Sequence, residues 1–301
     1  MQFSNDKKTI ILKDGSIFLL TFSEYFVVRS LFSLGYKLKQ VGDNQYSVTG
    51  SKFSLVVPLP LLCTLAELAK DNRVNWVQKI GDDQFKIRNE NFELIGSSDI
   101  LESFNEQSLG LYNCDCGNKV VLDIGGYQGD SAVLFSRMGA SQVIVYEPVI
   151  THHSFIKQNL LINNVKADLH EEGIGNRNGT QIIHYDLANL GFGILSGGLR
   201  EMEIRIRNVT DVLEESHADI AKLDCEGAEE SLIHVPIKTL RKIDLYIIEV
   251  HTAKIRLAIM GKMKSSGFDL VKEIRLLEGI SNGVPIKVSV IHFKKNPSAR
   301  Y

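Results

Sequence analysis

Between Val120 and Asp130 the sequence reads Val-Val-Leu-Asp-Ile-Gly-Gly-Tyr-Gln-Gly-Asp. An apolar run carries the acid Asp123 near its end, and Gly125, Gly126 and Gly129 follow before a helical pattern opens at Asp130. Glycines at a strand-to-helix turn let the backbone come close to a ligand and take positive φ without a Cβ clash. Eighteen residues past Gly129, a second apolar run, Gln142 to Tyr146, ends in Glu147-Pro148. An acid at the tip of a second strand is placed to accept hydrogen bonds from ribose hydroxyls. A dinucleotide turn carries G-x-G-x-x-G against a pyrophosphate. Here D-x-G-G-x-x-G sets a carboxylate before the first glycine, which repels a pyrophosphate and suits an ammonium. S-adenosylmethionine offers an ammonium, a sulfonium and a ribose, and no phosphate. On this reading Asp123 and Gly125 hold its methionine part, with Gly126, Tyr127, Gly129 and Asp130 in the same turn. Glu147 and Pro148 take the ribose, and Glu172 or the backbone near it lines the adenine. The plainer alternative is a glycine turn that serves only close helix–strand packing.

A second constellation lies downstream. Ile220-Ala221-Lys222-Leu223-Asp224-Cys225-Glu226-Gly227-Ala228-Glu229 reads as a strand ending in Asp224, a tight turn with Glu226, and a helix from about Ala228. The next apolar run ends in Glu249-Val250-His251. Adjacent strand tips would then deliver Asp224, Glu226, Glu249 and His251 to one cleft, and these four are the candidate catalytic residues. A reaction in such a cleft that takes a proton from its acceptor needs a base, with His251 or Asp224 expected in that role. The competing reading gives His251 an orienting hydrogen bond and makes Glu226 and Glu229 charges that compensate a helix macrodipole, the preferred role for Glu229. Asp224 with Glu226 also offers hard oxygens to magnesium, but no residue is assigned as a metal ligand.

The elements that must position these groups alternate regularly. After the glycine turn come a helix at about 131–138, a strand ending at Glu147, a helix at about 151–163 and a strand at about 167–171. Strands at about 219–224 and 243–249, a helix at 253–266, and two strands at about 268–274 and 286–293 complete the series. The pattern predicts an α/β, doubly wound, Rossmann-like seven-stranded sheet with helices on both faces, its last strand inserted antiparallel. An insertion near 176–207 carries Gly191, Gly193, Gly197 and Gly198, and reads either as a lid or as a loose surface hairpin.

Residues 1–84 read as a small α+β domain preceding a catalytic domain at 85–301. Hairpins are expected around Lys13-Asp14-Gly15, Gly42-Asp43-Asn44 and Gly81-Asp82-Asp83, with helices at about 23–34 and 61–70. No internal repeat stands out there, and a helix is expected at 99–105. Of 301 residues, 44% are hydrophobic and 23% charged, the balance of an ordinary globular protein, and the net charge of −2 gives no bias toward nucleic acid or anionic lipid. The polar start and the absence of a long apolar stretch point to a cytoplasmic protein without a membrane span. Cys114 and Cys116 are a close pair, but Cys63 and Cys225 are remote, so reduced thiols are expected rather than a zinc site.

With these segments in hand, the chain resembles the FkbM family of S-adenosylmethionine-dependent methyltransferases over about Phe85 to Phe293. The resemblance rests on Asp123 to Asp130, Tyr146-Glu147-Pro148, Asn159, Asn163-Asn164, Asn208 to Leu213, Lys222 to Glu229 and Glu249-Val250-His251. It implies a class I methyltransferase fold and methylation of an oxygen on a small-molecule, sugar or lipid-like acceptor. Tyr127 stands where the family more often has asparagine, and Gly126 replaces a usual alanine. The alternative is an RNA methyltransferase whose N-terminal domain docks RNA; a basic surface with exposed aromatics would favour it, and residues 1–84 show mixed charge.

Overall fold

The computed structural model describes residues 8–11, 17–20, 22–185, 200–281 and 284–299. The chain divides into two compact units, Met1–Leu109 and Gly110–Tyr301. The division falls at 109 and not at 84, because the third hairpin and the helix after it pack within the first unit.

In the first unit, the hairpin of β1 (Lys8–Ile11) and β2 (Ile17–Leu20) leads into α1 (Phe22–Ser33). A three-stranded antiparallel sheet follows, β3 (Lys37–Gly42), β4 (Gln45–Thr49) and β5 (Ser54–Pro58), then α2 (Leu59–Lys70). The same order recurs as β6 (Val74–Gly81), β7 (Gln84–Asn89), β8 (Glu93–Gly96) and α3 (Ile100–Ser108). This is a tandem duplication, although the sequence shows no obvious repeat. Gly42-Asp43-Asn44-Gln45 corresponds to Gly81-Asp82-Asp83-Gln84 at an offset of 39 residues. At that same offset Tyr46 matches Phe85, Val48 matches Ile87, Leu55 matches Leu94 and Leu62 matches Leu101, all buried. The repeat is carried by alternate inward positions and one turn, and the outward positions between them have drifted. Helix α1 packs on α2, and α2 on α3.

The second unit is built on a seven-stranded sheet. Its first four strands are β9 (Val120–Ile124), β10 (Gln142–Tyr146), β11 (Ala167–His170) and, later, β15 (Ile220–Leu223). Helix α4 (Asp130–Arg137) joins β9 to β10, and α5 (Ile150–Ile162) joins β10 to β11. The insertion forms a separate three-stranded sheet of β12 (Gly173–Gly175), β13 (Gly179–Tyr185) and β14 (Arg200–Asn208). Its Ile183, Ile204 and Ile206 pack with Val149 at the start of α5. The expected glycine-rich lid around 191–198 lies outside the described residues, as do the Lys13-Asp14-Gly15 turn and Asn282-Gly283. Helix α6 (Val209–Glu215) begins at Asn208, whose side chain accepts from the Thr210 N–H at 2.9 Å, a side-chain cap of the usual kind.

The expected helix from Ala228 is instead a 3-10 segment, Ala228–His234. Glu229 curls back to accept from the Gly227 N–H at 2.6 Å, and Pro236 follows the end of the segment. A short α7 (Ile237–Leu240) leads to β16 (Leu245–Thr252), α8 (Ala253–Ser265) and the long hairpin of β17 (Phe268–Ser281) and β18 (Val284–Lys295).

The sheet order is β11-β10-β9-β15-β16-β18-β17, with β18 antiparallel to both of its neighbours and the other pairs parallel. The central strands read as apolar runs because they are buried on both faces: Val121, Leu122, Ala221, Leu223, Ile247 and Ile248 have no exposed surface. Strand order reverses between β9 and β15. With right-handed crossovers, the helices before and after that point lie on opposite faces, and a crevice opens at the carboxyl ends of β9 and β15. The predicted architecture is the observed one.

Candidate active site

The turn after β9 is held by the backbone before any ligand is considered. The Gly125 and Gly126 N–H groups donate to the Tyr146 carbonyl at 2.9 and 3.2 Å, and the Asp224 N–H donates to the Ile124 carbonyl at 3.0 Å. Gly125 has φ +79°, and a Cβ there would sit 1.7 Å from the Asp224 carbonyl oxygen. Only glycine allows the β9 and β15 tips to come this close. Close approach of the two strand tips therefore requires glycine at this position. Helix α5 secures the far side: Asn159, fully buried, donates to the Gln128 carbonyl at 2.7 Å.

Asp123 has no exposed surface. Its Oδ2 accepts from the Ser131 hydroxyl at 2.6 Å, and its Oδ1 lies 3.2 Å from Lys222 Nζ as an ion pair without good hydrogen-bond alignment. Lys222, itself 2% exposed, donates to the Gly125 carbonyl at 2.6 Å and stands 3.6 Å from Asp224 Oδ2. Burial pushes the Asp123 carboxyl up against the opposing pull of Lys222 and Ser131. Burial works against the Lys222 charge too, yet Asp123, Asp224 and Asp130 outweigh it and hold the ammonium well above the ordinary lysine range. Asp123 thus anchors the turn from beneath, and Lys222 ties three strand-tip groups together.

Glu147 lies at the tip of β10, 4% exposed. Its carboxylate accepts from the Tyr127 N–H at 2.8 Å and the Val149 N–H at 2.9 Å, with His152 Nδ1 at 3.2 Å. His153 Nε2 reaches the Glu147 backbone carbonyl at 2.7 Å. Tyr127 takes φ +47°, rare for a residue with a Cβ, and packs edge-on to the His152 ring at 4.6 Å. Asp130 begins α4, 6% exposed, and Gly129 precedes it in left-handed conformation. Pro148 is half-buried beside Gly173. Glu172 pairs with Arg207 of β14 at 3.9 Å, and both charges act on Tyr146 at the end of β10.

The downstream four residues do converge. His251 is the hub, its side chain 11% exposed. Its Nδ1 is 2.7 Å from Oε1 of Glu229, and its Nε2 is 3.9 Å from Asp224 Oδ1, 3.6 Å from Glu226 Oε2 and 3.6 Å from Glu249 Oε1. Glu249 and His251 are two apart on β16 and so share a face. A register shift between Val250 and Thr252 opens the β16–β18 ladder at His251, the kind of bulge that re-aims a side chain. Glu226 sits at φ +52° followed by Gly227 at φ +105°, a left-handed pair that turns the chain sharply off the strand tip.

Burial works against the imidazolium, but the Glu229 hydrogen bond and the charges of Glu226, Glu229 and Asp224 prevail and push His251 up to about 10. Burial also pushes Glu226 up to about 7, helped by Asp224 and Glu229 and opposed by His251, although its side chain keeps 44% of its surface exposed. Nε2 of His251 thus faces three carboxylate oxygens, which favour a proton on the ring.

Three contributors escaped the sequence reading. Lys222 was visible as a charge inside an apolar strand, which signals a buried ion pair. Glu229, in the first turn of the 3-10 segment and accepting from the Gly227 N–H, also orients His251 through Oε1. Tyr112 had no signal, since its role depends on tertiary placement: its hydroxyl donates to Asp224 Oδ2 at 3.2 Å and to Glu249 Oε2 at 3.5 Å.

The donor set suits a cationic cofactor with a ribose. Asp123, Asp224, Glu226, Glu229 and Glu249 gather around Lys222 and His251, so the strand tips carry excess negative formal charge. Such a set repels a pyrophosphate and attracts an ammonium and a sulfonium.

The methyltransferase FkbM domain model matches residues 123–277. No curated protein matches the sequence. Among solved structures, a candidate S-adenosylmethionine-dependent methyltransferase from Streptococcus mutans has TM-score 0.48 and 10% identity, covering 98% of this chain and 92% of its own. A candidate RNA methyltransferase from Pyrococcus horikoshii has TM-score 0.42 and 17% identity over 66% and 85% of the two chains. The precorrin-6y C5,15-methyltransferase of Geobacter metallireducens has TM-score 0.39 and 12% identity over 63% and 86%.

Proposed function

From the fact that the chain belongs to the FkbM methyltransferase family, we infer that it methylates a hydroxyl oxygen of a small-molecule, sugar or lipid-like acceptor, with S-adenosylmethionine as donor. The observation that carries this reading is the convergence of Asp224, Glu226, Glu249 and His251 at adjacent strand tips beside the β9 turn. When bound, S-adenosylmethionine supplies an electrophilic methyl group on a sulfonium.

The chain's own residues do the rest. Glu147, fixed by two backbone N–H groups, keeps carboxylate lone pairs for ribose hydroxyls. The Gly125–Tyr127 backbone and the acidic tips, backed by Asp123 and Lys222, hold the methionine part. Glu226, the more exposed carboxylate, takes the acceptor's proton, with Asp224 and His251 beside it. Positioning of oxygen, methyl carbon and sulfur in line supplies most of the rate.

A cluster this acidic disfavours a polyanionic acceptor, which supports a neutral hydroxyl over RNA. A bulk transfer-RNA gel shift distinguishes the two, and salt-sensitive RNA binding would favour the RNA reading. Among the described residues, no helix is long and apolar enough to cross a membrane.

The direct test is calorimetry with S-adenosylhomocysteine on the wild type and on Glu147→Ala. Micromolar binding that is lost in the variant is the expected result; no binding to the wild type would remove the donor assignment. If His251→Ala and Asp224→Asn both retained full turnover, the site assignment would fall.

A further inference from the structure

We propose that Asp224, Glu249 and His251 hold one divalent cation, of the manganese class, that receives the acceptor hydroxyl; its catalytic use rests on the methyltransferase reading above. One ligand atom from each of these residues lies within 4.8 Å of the other two. Ligands around a shared ion at about 2.1 Å stand about 3–4.2 Å apart, so small side-chain movements close the set.

The two carboxylates are arranged alike. Asp224 turns Oδ2 to the Tyr112 hydroxyl and Oδ1 toward the imidazole. Glu249 turns Oε2 to Tyr112 and Oε1 toward the imidazole. One oxygen of each is thus turned to the phenol, whose single hydrogen the two share, while the other is turned toward the imidazole. His251 is held from behind by the wholly buried Glu229 on Nδ1, which leaves Nε2 as the ligating atom. A carboxylate on the far nitrogen is the usual partner of a metal-bound imidazole.

Charge points the same way. Asp224, Glu226, Glu229 and Glu249 surround Nε2 and Nδ1, and Lys222, which stands 3.6 Å from Asp224, is shared with Asp123. One imidazole and two carboxylates mix nitrogen and oxygen donors, which favours manganese over magnesium.

With the hydroxyl on the ion, Glu226 takes its proton. The acceptor oxygen then bonds the methyl carbon as the carbon–sulfur bond breaks, and the electron pair leaves with sulfur as a neutral thioether. The products are the methyl ether, S-adenosylhomocysteine and the proton on Glu226.

The test is a titration of chelator-treated full-length protein with Mn2+, read by loss of the free-ion paramagnetic resonance signal, with S-adenosylhomocysteine binding followed separately by calorimetry. The expected result is one Mn2+ per chain, weakened at least about tenfold in Glu249→Gln and in His251→Gln and retained in Glu226→Gln. No saturable Mn2+ site in the wild type would overturn the proposal, whatever the variants do. Undiminished binding in both Glu249→Gln and His251→Gln would overturn it too. Thioether binding without Mn2+ binding would remove the ion and keep the methyltransferase reading. Mn2+ binding without thioether binding would do the reverse.

Discussion

The Nδ1 atom of His251 lies 2.7 Å from a carboxylate oxygen of Glu229, a side chain with no exposed surface. A buried carboxylate that orients a half-exposed cluster contributes by fixing geometry rather than by touching substrate. Glu229→Gln keeps the shape but replaces the charge-assisted bond by a neutral one. We expect turnover to fall by about 10–100-fold with S-adenosylhomocysteine affinity little changed. Single-turnover methyl transfer alongside calorimetry checks this, and an equal loss in both would point to a merely structural role.

Glu226 is the most exposed carboxylate of the cluster, and removal of a general base typically costs about 10²–10⁴-fold. Glu226→Gln should therefore lower kcat by that order while leaving the KM for the donor near the wild-type value. Unchanged turnover would assign the proton to Asp224 instead.

Lys222 and Asp123 form a buried ion pair in the middle of the sheet. Removing one partner strands the other, so Lys222→Met should destabilise the second unit by about 3–5 kcal/mol in urea unfolding. Adding Asp123→Asn should restore part of that loss. A double variant less stable than the single would show that the pair is not the cause.

His292 is 3% exposed, and its Nε2 lies 2.6 Å from the Leu111 carbonyl. Burial pushes its imidazole below the ordinary range, aided by the Lys272 charge and opposed by that carbonyl. Below about pH 6.5 the unfolded chain therefore binds a proton that the folded chain resists, and stability is lost as pH falls. Between about pH 7.5 and about pH 5.5, urea midpoints should fall more for the wild type than for His292→Gln. Parallel curves would remove His292 from the account.

A Cβ at Gly126 would lie 2.3 Å from Cγ1 of Val145. Gly126→Ala should destabilise by about 1–3 kcal/mol, and Val145→Ala should make room for it. If Gly126→Ala alone were neutral, Val145 would have rotated out of the way.

Much of this was legible in the sequence, for definable reasons. Strands β9, β10, β15 and β16 announce themselves because burial on both faces leaves mainly apolar runs, each with an acid at or near its carboxyl end. Asp224, Glu226, Glu249 and His251 follow from those ends. What stayed hidden depends on contacts distant in sequence: Tyr112 reaches Asp224 across 112 residues. The 3-10 segment after Gly227 was also hidden, since Glu229 bends the chain toward a partner on β16. The upward push on His251 is another case, because it comes from Asp224, Glu226 and Glu229, more than twenty residues away in sequence.

The tandem βββα modules of the first unit have a consequence for how that unit can be altered. Each helix rests on the one before it, so cohesion there is a chain of neighbour-to-neighbour contacts rather than one shared centre. Removing a whole module of 39 residues should leave a shorter stack with matching ends. A cut inside one, between β7 and β8 for example, should leave Leu94, Leu101 and Phe104 without cover. The unit's length is therefore adjustable in steps, and only at the seams.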